Sequence, residues 1–270
     1  VDLANDLRAH PGFNEHYQIW AFRYSTGGPF LEAGAQLRRE MSQLISMVDP
    51  QGCDAALEQI VLLGHSMGGL VARLQTFDSG CQLWNAVANR PLDQIVTDEQ
   101  TRALLAEQFF FQAQTSVKRV VYLATPHLGS DWANRPIGRL ASAMVRPRPG
   151  IERRHEQLIR DNPGVFSGEL ERGIPTSIDM LDPQSPLLRT IRCQPTACWI
   201  KLDSIIGTKH IPVFEKPGDG IVRINSALFP GVESQLFVDA KHTEVHRNQD
   251  STSEVWRILQ QHLGEVSVEL

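Results

Sequence analysis

Gly64-His65-Ser66-Met67-Gly68-Gly69 follows directly on the apolar run Ile60-Val61-Leu62-Leu63 and leads into Leu70-Val71-Ala72-Arg73-Leu74. The apolar run reads as a buried strand and the residues after Gly69 as the start of an amphipathic helix. A serine on so tight a strand-to-helix turn needs small residues two before and two after it. A Cβ at Gly64 or Gly68 would run into the crossing backbone. The turn lifts the Ser66 hydroxyl clear of the sheet and aims the next helix N-terminus at developing negative charge. A glycine-rich loop would satisfy the spacing alone, so the flanking strand and helix are what make Ser66 a candidate nucleophile.

Working outward, the chain alternates helical and extended patterns. Leu3, Ala4 and Leu7 recur at helical spacing before Pro11-Gly12, and Tyr17 to Tyr24 alternates aromatic and polar residues like a strand. Ala33, Leu37, Met41, Leu44, Ile45 and Val48 fall on one helical face, closed by Asp49-Pro50. Residues 83–116 read as two short helices carrying Trp84, Leu104, Leu105 and Phe109-Phe110-Phe111. A strand over Arg119 to Ala124 runs into Thr125-Pro126-His127-Leu128-Gly129-Ser130 and is expected to end on the same side as Ser66. Residues 131–195 read as helix and loop punctuated by prolines, and strands follow at Trp199 to Ile206 and Ser234 to Val238. Ser251 and Glu254 have capping-box spacing ahead of Val255, Ile258, Leu259 and Leu263, the buried face of a final helix. Strands alternating with helices predict an α/β fold, a mostly parallel sheet with helices on both faces.

With 270 residues, 41% hydrophobic and 21% charged, the chain suits one large core, and a single domain over 1–270 is expected. A net charge of -5 with no dense Lys/Arg stripe argues against nucleic acid as a partner. Arg146-Pro147-Arg148 with Arg153-Arg154 reads as a solvated loop. No apolar stretch approaches the roughly 20 residues that span a bilayer. A chain beginning with Val1 rather than Met leaves any leader, and so the compartment, open. Cys53, Cys81, Cys193 and Cys198 match no zinc spacing; Cys193 and Cys198 are close enough for a small disulfide loop, and free thiols fit equally.

A serine hydroxyl is a poor nucleophile until a neutral imidazole takes its proton and a carboxylate fixes that imidazole's tautomer. His242 follows the Ser234 to Val238 strand after Asp239-Ala240-Lys241 and precedes the final helix, where a catalytic histidine would sit. His246 is the competitor, and a surface position is the ordinary alternative for any of the nine histidines. Asp219, in Gly218-Asp219-Gly220-Ile221-Val222, is the candidate acid, although Asp beside Gly is also what turns favour. Asp203 and Asp239 remain alternatives.

Gly64 to Gly69, Ala124 to Ser130, Asp219-Gly220-Ile221-Val222 and His242 with its terminal helix together resemble the α/β-hydrolase superfamily over nearly the whole chain. The similarity is to the lipase and esterase branch, including bacterial lipase-like hydrolases and inositol-deacylase-like proteins. The resemblance implies a carboxylic ester hydrolase with Ser66 as nucleophile, His242 as general base and acid and Asp219 as orienter, in the superfamily's order of Ser, acid, His. It implies no metal or organic cofactor, an ester or lipid substrate, and contact with a lipid interface. It places His65, Met67, Thr125 and His127 at the oxyanion site and pocket, with the Met67 N–H as one oxyanion donor; a structural hydrogen-bonding role is the preferred reading of His127. Residues 83–116 resemble a cap or lid in which Trp84 and Phe109 to Phe111 line an acyl site or simply pack in the core, and 131–195 forms a second insertion. Acyl transfer, thioester or amide cleavage on the same triad, and a non-catalytic binding protein, are the alternatives.

One departure matters. The superfamily carries a His-Gly-containing loop, after a strand preceding the first helix, that donates a second oxyanion N–H, and losing such a donor costs about 10²–10³ in rate. The resemblance puts that strand between Tyr17 to Tyr24 and Ile60 to Leu63, and its absence would leave interior backbone groups unpaired. The expectation is that the N-terminal strand and loop lie upstream of Val1.

Overall fold

The computed structural model describes residues 2–25, 27–130, 151–167, 169–172, 179–209 and 217–269. Four extended runs pair into one sheet: β1 (Ile60–His65), β2 (Val117–Leu123), β3 (Lys201–Gly207) and β4 (Ser234–Val238), in that order and all parallel. Register pairs Leu63 with Val121, Val121 with Asp203, and Asp203 with Ser234. A parallel neighbour requires the chain to cross back over a face of the sheet, and the intervening helices make those crossings. Covered on both faces, β2 is buried almost throughout, which is why Val120 to Leu123 reads as an unbroken apolar run rather than an alternating one.

The two faces can be followed residue by residue. Val120, Tyr122 and Leu202 point into a core shared with Phe30, Leu37 and Met41 of α3 (Phe30–Val48) and Leu70 and Leu74 in and just after α4 (Met67–Arg73). Val121, Leu123 and Ile205 point to the opposite face, against Leu7 of α1 (Asp2–Arg8), Phe13 of α2 (Phe13–His16) and Val255, Ile258 and Leu259 of the closing helix Gln249–Glu269. The alternation is the two-residue period of a strand separating two hydrophobic layers.

Three expectations change. Tyr17 to Tyr24 pairs with no strand of this sheet; the Phe22 and Tyr24 rings stack at 5.2 Å against the main core, and Tyr17 Oη donates to the Leu259 carbonyl at 2.6 Å. Alternation records two unlike faces, but a strand also needs a neighbouring backbone. On β1, Ile60 N donates to Ser116 O and Ser66 N to Leu123 O, so the peptide groups of Val61, Leu63 and His65 face away from β2. Among the described residues no strand pairs on that flank, and Leu63 is 39% exposed. On α3 the apolar face outruns the core: burial ends at Met41 and Val48 is exposed. The final helix is capped by Asn248, whose Oδ1 accepts from the Asp250 and Ser251 amides, rather than by the Ser251 and Glu254 box. All four cysteines are free and exposed.

The 83–116 region forms α5 (Gln82–Asn85), a short 3-10 turn at Leu92–Gln94 and α6 (Glu99–Phe109). Trp84 and Phe109 are buried in the main core and meet edge to face at 5.3 Å, and Phe166 meets Trp84 edge to face at 6.1 Å. In the second insertion, 131–150 and with it Arg146-Pro147-Arg148 lie outside the described residues. Its helix Pro186–Cys193 is capped at its start by Ser185 Oγ, which accepts from Leu188 N, with proline at its first position. Its far end is closed by Arg73, fully buried, which donates to the carbonyls of Ile191 and Gln194. No helix among the described residues is long and apolar enough to cross a membrane.

A buried ion network fastens the lower half of the sheet. Arg119 is fully buried; its guanidinium donates to Asp203 at 2.8 Å, Glu233 at 3.3 Å and Glu265 at 2.9 Å, joining β2, β3, the approach to β4 and the closing helix. Ser234 Oγ lies 2.8 Å from the second Asp203 oxygen. Removing one member of such a pair strands its partner in a poor solvent. Arg119→Met, by leaving the Asp203 carboxylate uncompensated, is expected to lower stability by about 3–5 kcal/mol in urea unfolding. Burial pushes the Glu265 carboxyl up, but hydrogen bonds from Lys201, Gln261 and Arg119 outweigh it and hold its pKa down at about 2 rather than 4.5. Its contribution is therefore present above 4.5 and lost as pH falls through about 2, and Glu265→Gln is expected to remove that part of the acid unfolding curve.

Candidate active site

The elbow begins where β1 ends. Ser66 has φ 55 and ψ -127, a conformation L-residues seldom adopt and which costs on the order of 1–3 kcal/mol. Close packing enforces it. A Cβ on Gly64 would sit 2.6 Å from Gly68 O and from Gly69 N and Cα, and one on Gly69 would sit 1.8 Å from Thr125 Oγ1. Gly68 is different: its Cβ would meet only Tyr24 Oη at 3.5 Å, an ordinary contact. The turn thus demands glycine at 64 and 69 rather than at 64 and 68, because the main chain of 68 and 69, not the Gly68 side, passes over Gly64.

Three loops at the ends of β1, β3 and β4 converge on this turn. Ser66 Oγ lies 2.8 Å from His242 Nε2, and His242 Nδ1 lies 2.8 Å from Asp219 Oδ2. Asp219 and His242 are 2% and 6% exposed, so the chain of contacts is shielded from competing water. The other Asp219 oxygen accepts from the Ile221 and Val222 amides at 3.0 and 2.7 Å, which fixes the carboxylate plane. A carboxylate held in this way accepts from Nδ1–H, leaving Nε2 bare and facing the serine hydroxyl.

The alternatives fall elsewhere. Asp203 is committed to Arg119 and Asp239 is exposed. His246 stands behind His65, with ring centroids 4.7 Å apart. Of the residues assigned to the pocket, Met67 opens α4 directly after Ser66, and Thr125 packs on Gly69 with its hydroxyl 3.4 Å from the Gly64 carbonyl. His65 Nε2 reaches the His242 main-chain carbonyl at 2.9 Å.

His127 does not join them. It is buried between Tyr122 and Phe229, with ring centroids at 4.6 and 4.5 Å, and burial, helped by the nearby Arg73 and Arg192 cations, pushes its pKa well below 6.5. Its ring hydrogen-bonds nothing among the described residues; the main-chain N–H does so instead, donating to Ser226 O at 2.9 Å. The hydrogen-bonding role expected of this side chain is therefore an aromatic packing role. A cavity of about 910 Å³ beside α5 and α6 is lined by Trp84, Asn85, Leu92, Ala106 and Phe110, and Ser66, Asp219 and His242 do not border it. Sequence reasoning passed over Tyr24, whose hydroxyl lies beside Gly68; its place in an aromatic alternation was the available signal.

A parallel sheet carrying a serine elbow, with an acid and a histidine on later strand ends, is the α/β-hydrolase fold. Among solved structures, the chain is similar to the Staphylococcus hyicus lipase, at 13% identity and a TM-score of 0.55, covering 100% of this chain and 89% of that one. It is also similar to a Bacillus licheniformis lipase in its mature form, at 15% identity and a TM-score of 0.53, covering 96% and 83%. No protein-family model and no curated protein sequence matches the chain.

Since a Cβ on Gly64 would meet three atoms of the crossing backbone at 2.6 Å, Gly64→Ala is expected to displace Ser66 from His242. A misplacement of about 1 Å costs about 10²-fold in rate. The rate of Ser66 labelling by a fluorophosphonate should fall by that order, and Gly68→Ala should show the smaller loss of the two.

Proposed function

We propose that the protein is a serine hydrolase of carboxylic esters acting on ester or lipid substrates. The observation that carries the reading is the unbroken 2.8 Å relay from Ser66 Oγ through His242 to Asp219. Ser66 Oγ attacks the ester carbonyl while its proton passes to His242 Nε2. Asp219 holds Nδ1–H and stabilises the imidazolium that forms. The Met67 N–H, at the head of α4, donates to the developing oxyanion. His242 then protonates the departing alcohol, leaving an acyl group on Ser66. Water, deprotonated by the same imidazole, releases the acid and restores the serine. Protein groups carry each of these steps. The shared fold of bacterial lipases supports the substrate class, and the two hydrophobic layers built on one sheet support a single catalytic domain.

A fluorophosphonate is expected to label Ser66 and to leave Ser66→Ala unlabelled. With p-nitrophenyl esters, His242→Ala should abolish turnover while His246→Ala retains most of it. Asp219→Asn should lower kcat by about 10⁴, the loss expected when the imidazole takes the wrong tautomer. An unlabelled wild-type protein would favour a non-catalytic role, and loss of turnover in His246→Ala alone would transfer the base to that residue. Activity rising with acyl-chain length and at a lipid interface would identify a lipase rather than an esterase.

A further inference from the structure

His65 stands immediately before the nucleophile, and its ring reaches across the elbow to the loop that carries the base. The main-chain carbonyl of His242, 2.9 Å from His65 Nε2, can only accept, so Nε2 carries the proton and Nδ1 is bare. The His65 ring is tilted against His242 at 5.0 Å and against His246 at 4.7 Å between centroids. On its other side, the main chain of His242 donates its N–H to the Asp219 carbonyl at 2.9 Å. The peptide groups flanking the base are thus held from two directions, one by the acid turn and one by the residue next to the nucleophile.

We propose that His65 is a positioning residue: its Nε2–H ties the His242 main chain to the elbow and keeps the His242 ring within hydrogen-bonding reach of Ser66. The proposal rests on the serine-hydrolase reading and adds to it a side chain that touches no reacting atom. A loop tethered only at the acid would be free to pivot about that point. The second tether comes from the strand end that also sets the position of Ser66, so nucleophile and base share one reference.

The charge state of His65 suits this position. Burial lowers its pKa from 6.5 to about 4; the His242 and His246 rings push the same way, against the hydrogen bond to His242 O and the Asp219 charge. Arg247, paired with Asp2, lies beyond His246 and 3.3 Å from its Nε2. At neutral pH His65 is therefore uncharged, and a proton taken up by His242 meets no second imidazolium 5.0 Å away.

The test separates the hydrogen bond from ring packing. His65→Phe keeps a ring and loses the donor; His65→Gln keeps a donor of similar reach. For one hydrogen bond, kcat of His65→Phe is expected to fall about tenfold with KM within about twofold, and His65→Gln to recover most of the loss. If His242→Ala is inactive while His65→Phe keeps kcat within about twofold, positioning by His65 is overturned and the hydrolase reading stands. If His242→Ala retains full turnover, the underlying reading has failed instead. Nitrogen-15 NMR of histidine-labelled wild-type protein gives an answer that needs neither turnover nor a folded variant. His65 should hold the Nε2–H tautomer from pH 7 to 5; an Nδ1–H tautomer, or titration near 6.5, overturns the proposal.

Discussion

The approach that shapes the elbow is between Gly64 and the main chain of Gly68 and Gly69, where a single added carbon would lie 2.6 Å from three backbone atoms. That approach holds Ser66 at positive φ, a conformation maintained only because its surroundings over-determine it. Two features supply the constraint. Ser66 N stays hydrogen-bonded to Leu123 O, so the turn cannot relax toward β1's open flank. Thr125 fills the space over Gly69, so the start of α4 cannot lift away from the sheet. The energy stored at Ser66 is thus offset by packing and hydrogen bonding in β2, an element that contributes none of the three relay side chains.

Burial makes the same demand of Asp219, His65 and Arg73, and each meets it differently. Asp219 spends one oxygen on two turn amides and the other on His242. His65 uses one nitrogen and stays uncharged. Arg73, a buried cation on α4, donates to helix-terminal carbonyls and to the Thr76 and Thr196 hydroxyls while its guanidinium lies over Phe77 and Phe229. The carbonyls at a helix C-terminus carry partial negative charge, so that helix end acts as the counter-ion. The second insertion is fixed to the sheet layer through this contact, on the helix that Ser66 precedes.

Much of this was legible in the sequence because it is local. The extended runs read from the sequence match all four strands within two residues at either end, and the elbow, the acid turn and the histidine loop each carry their own short pattern. What could not be read depends on long-range main-chain partners. A carbonyl has no residue type, so nothing in the sequence marks His65 as the donor to a peptide group 177 positions away. Tyr17 to Tyr24 has the pattern of a strand, yet pairing belongs to the neighbour as much as to the segment. Asn248 caps the final helix because the helix starts at Gln249, earlier than the Ser251 and Glu254 spacing implies, and the free amides at that start are those of Asp250 and Ser251. Thr125 was noticed for its position after a strand; its packing against Gly69 appears only once β1 and β2 lie side by side.

Asp203 and Asp219 were both candidates for the acid, and the polarity of a parallel sheet separates them. When all strands run the same way, every loop that follows a strand emerges at one edge, where ligands of open α/β sheets bind. Ser66, Thr125, Asp219 and His242 follow β1, β2, β3 and β4 in turn, and because spatial order matches chain order, their loops emerge side by side. Arg119 and Asp203 lie in the first halves of β2 and β3, and Glu233 immediately precedes β4, so their charges gather toward the opposite edge. An aspartate three residues into β3 is drawn to an arginine three residues into β2; one beyond the end of β3 is presented to the histidine beyond β4. Distance along the strand, more than the chemistry of the side chain, decides which carboxylate braces the sheet and which is turned toward the imidazole.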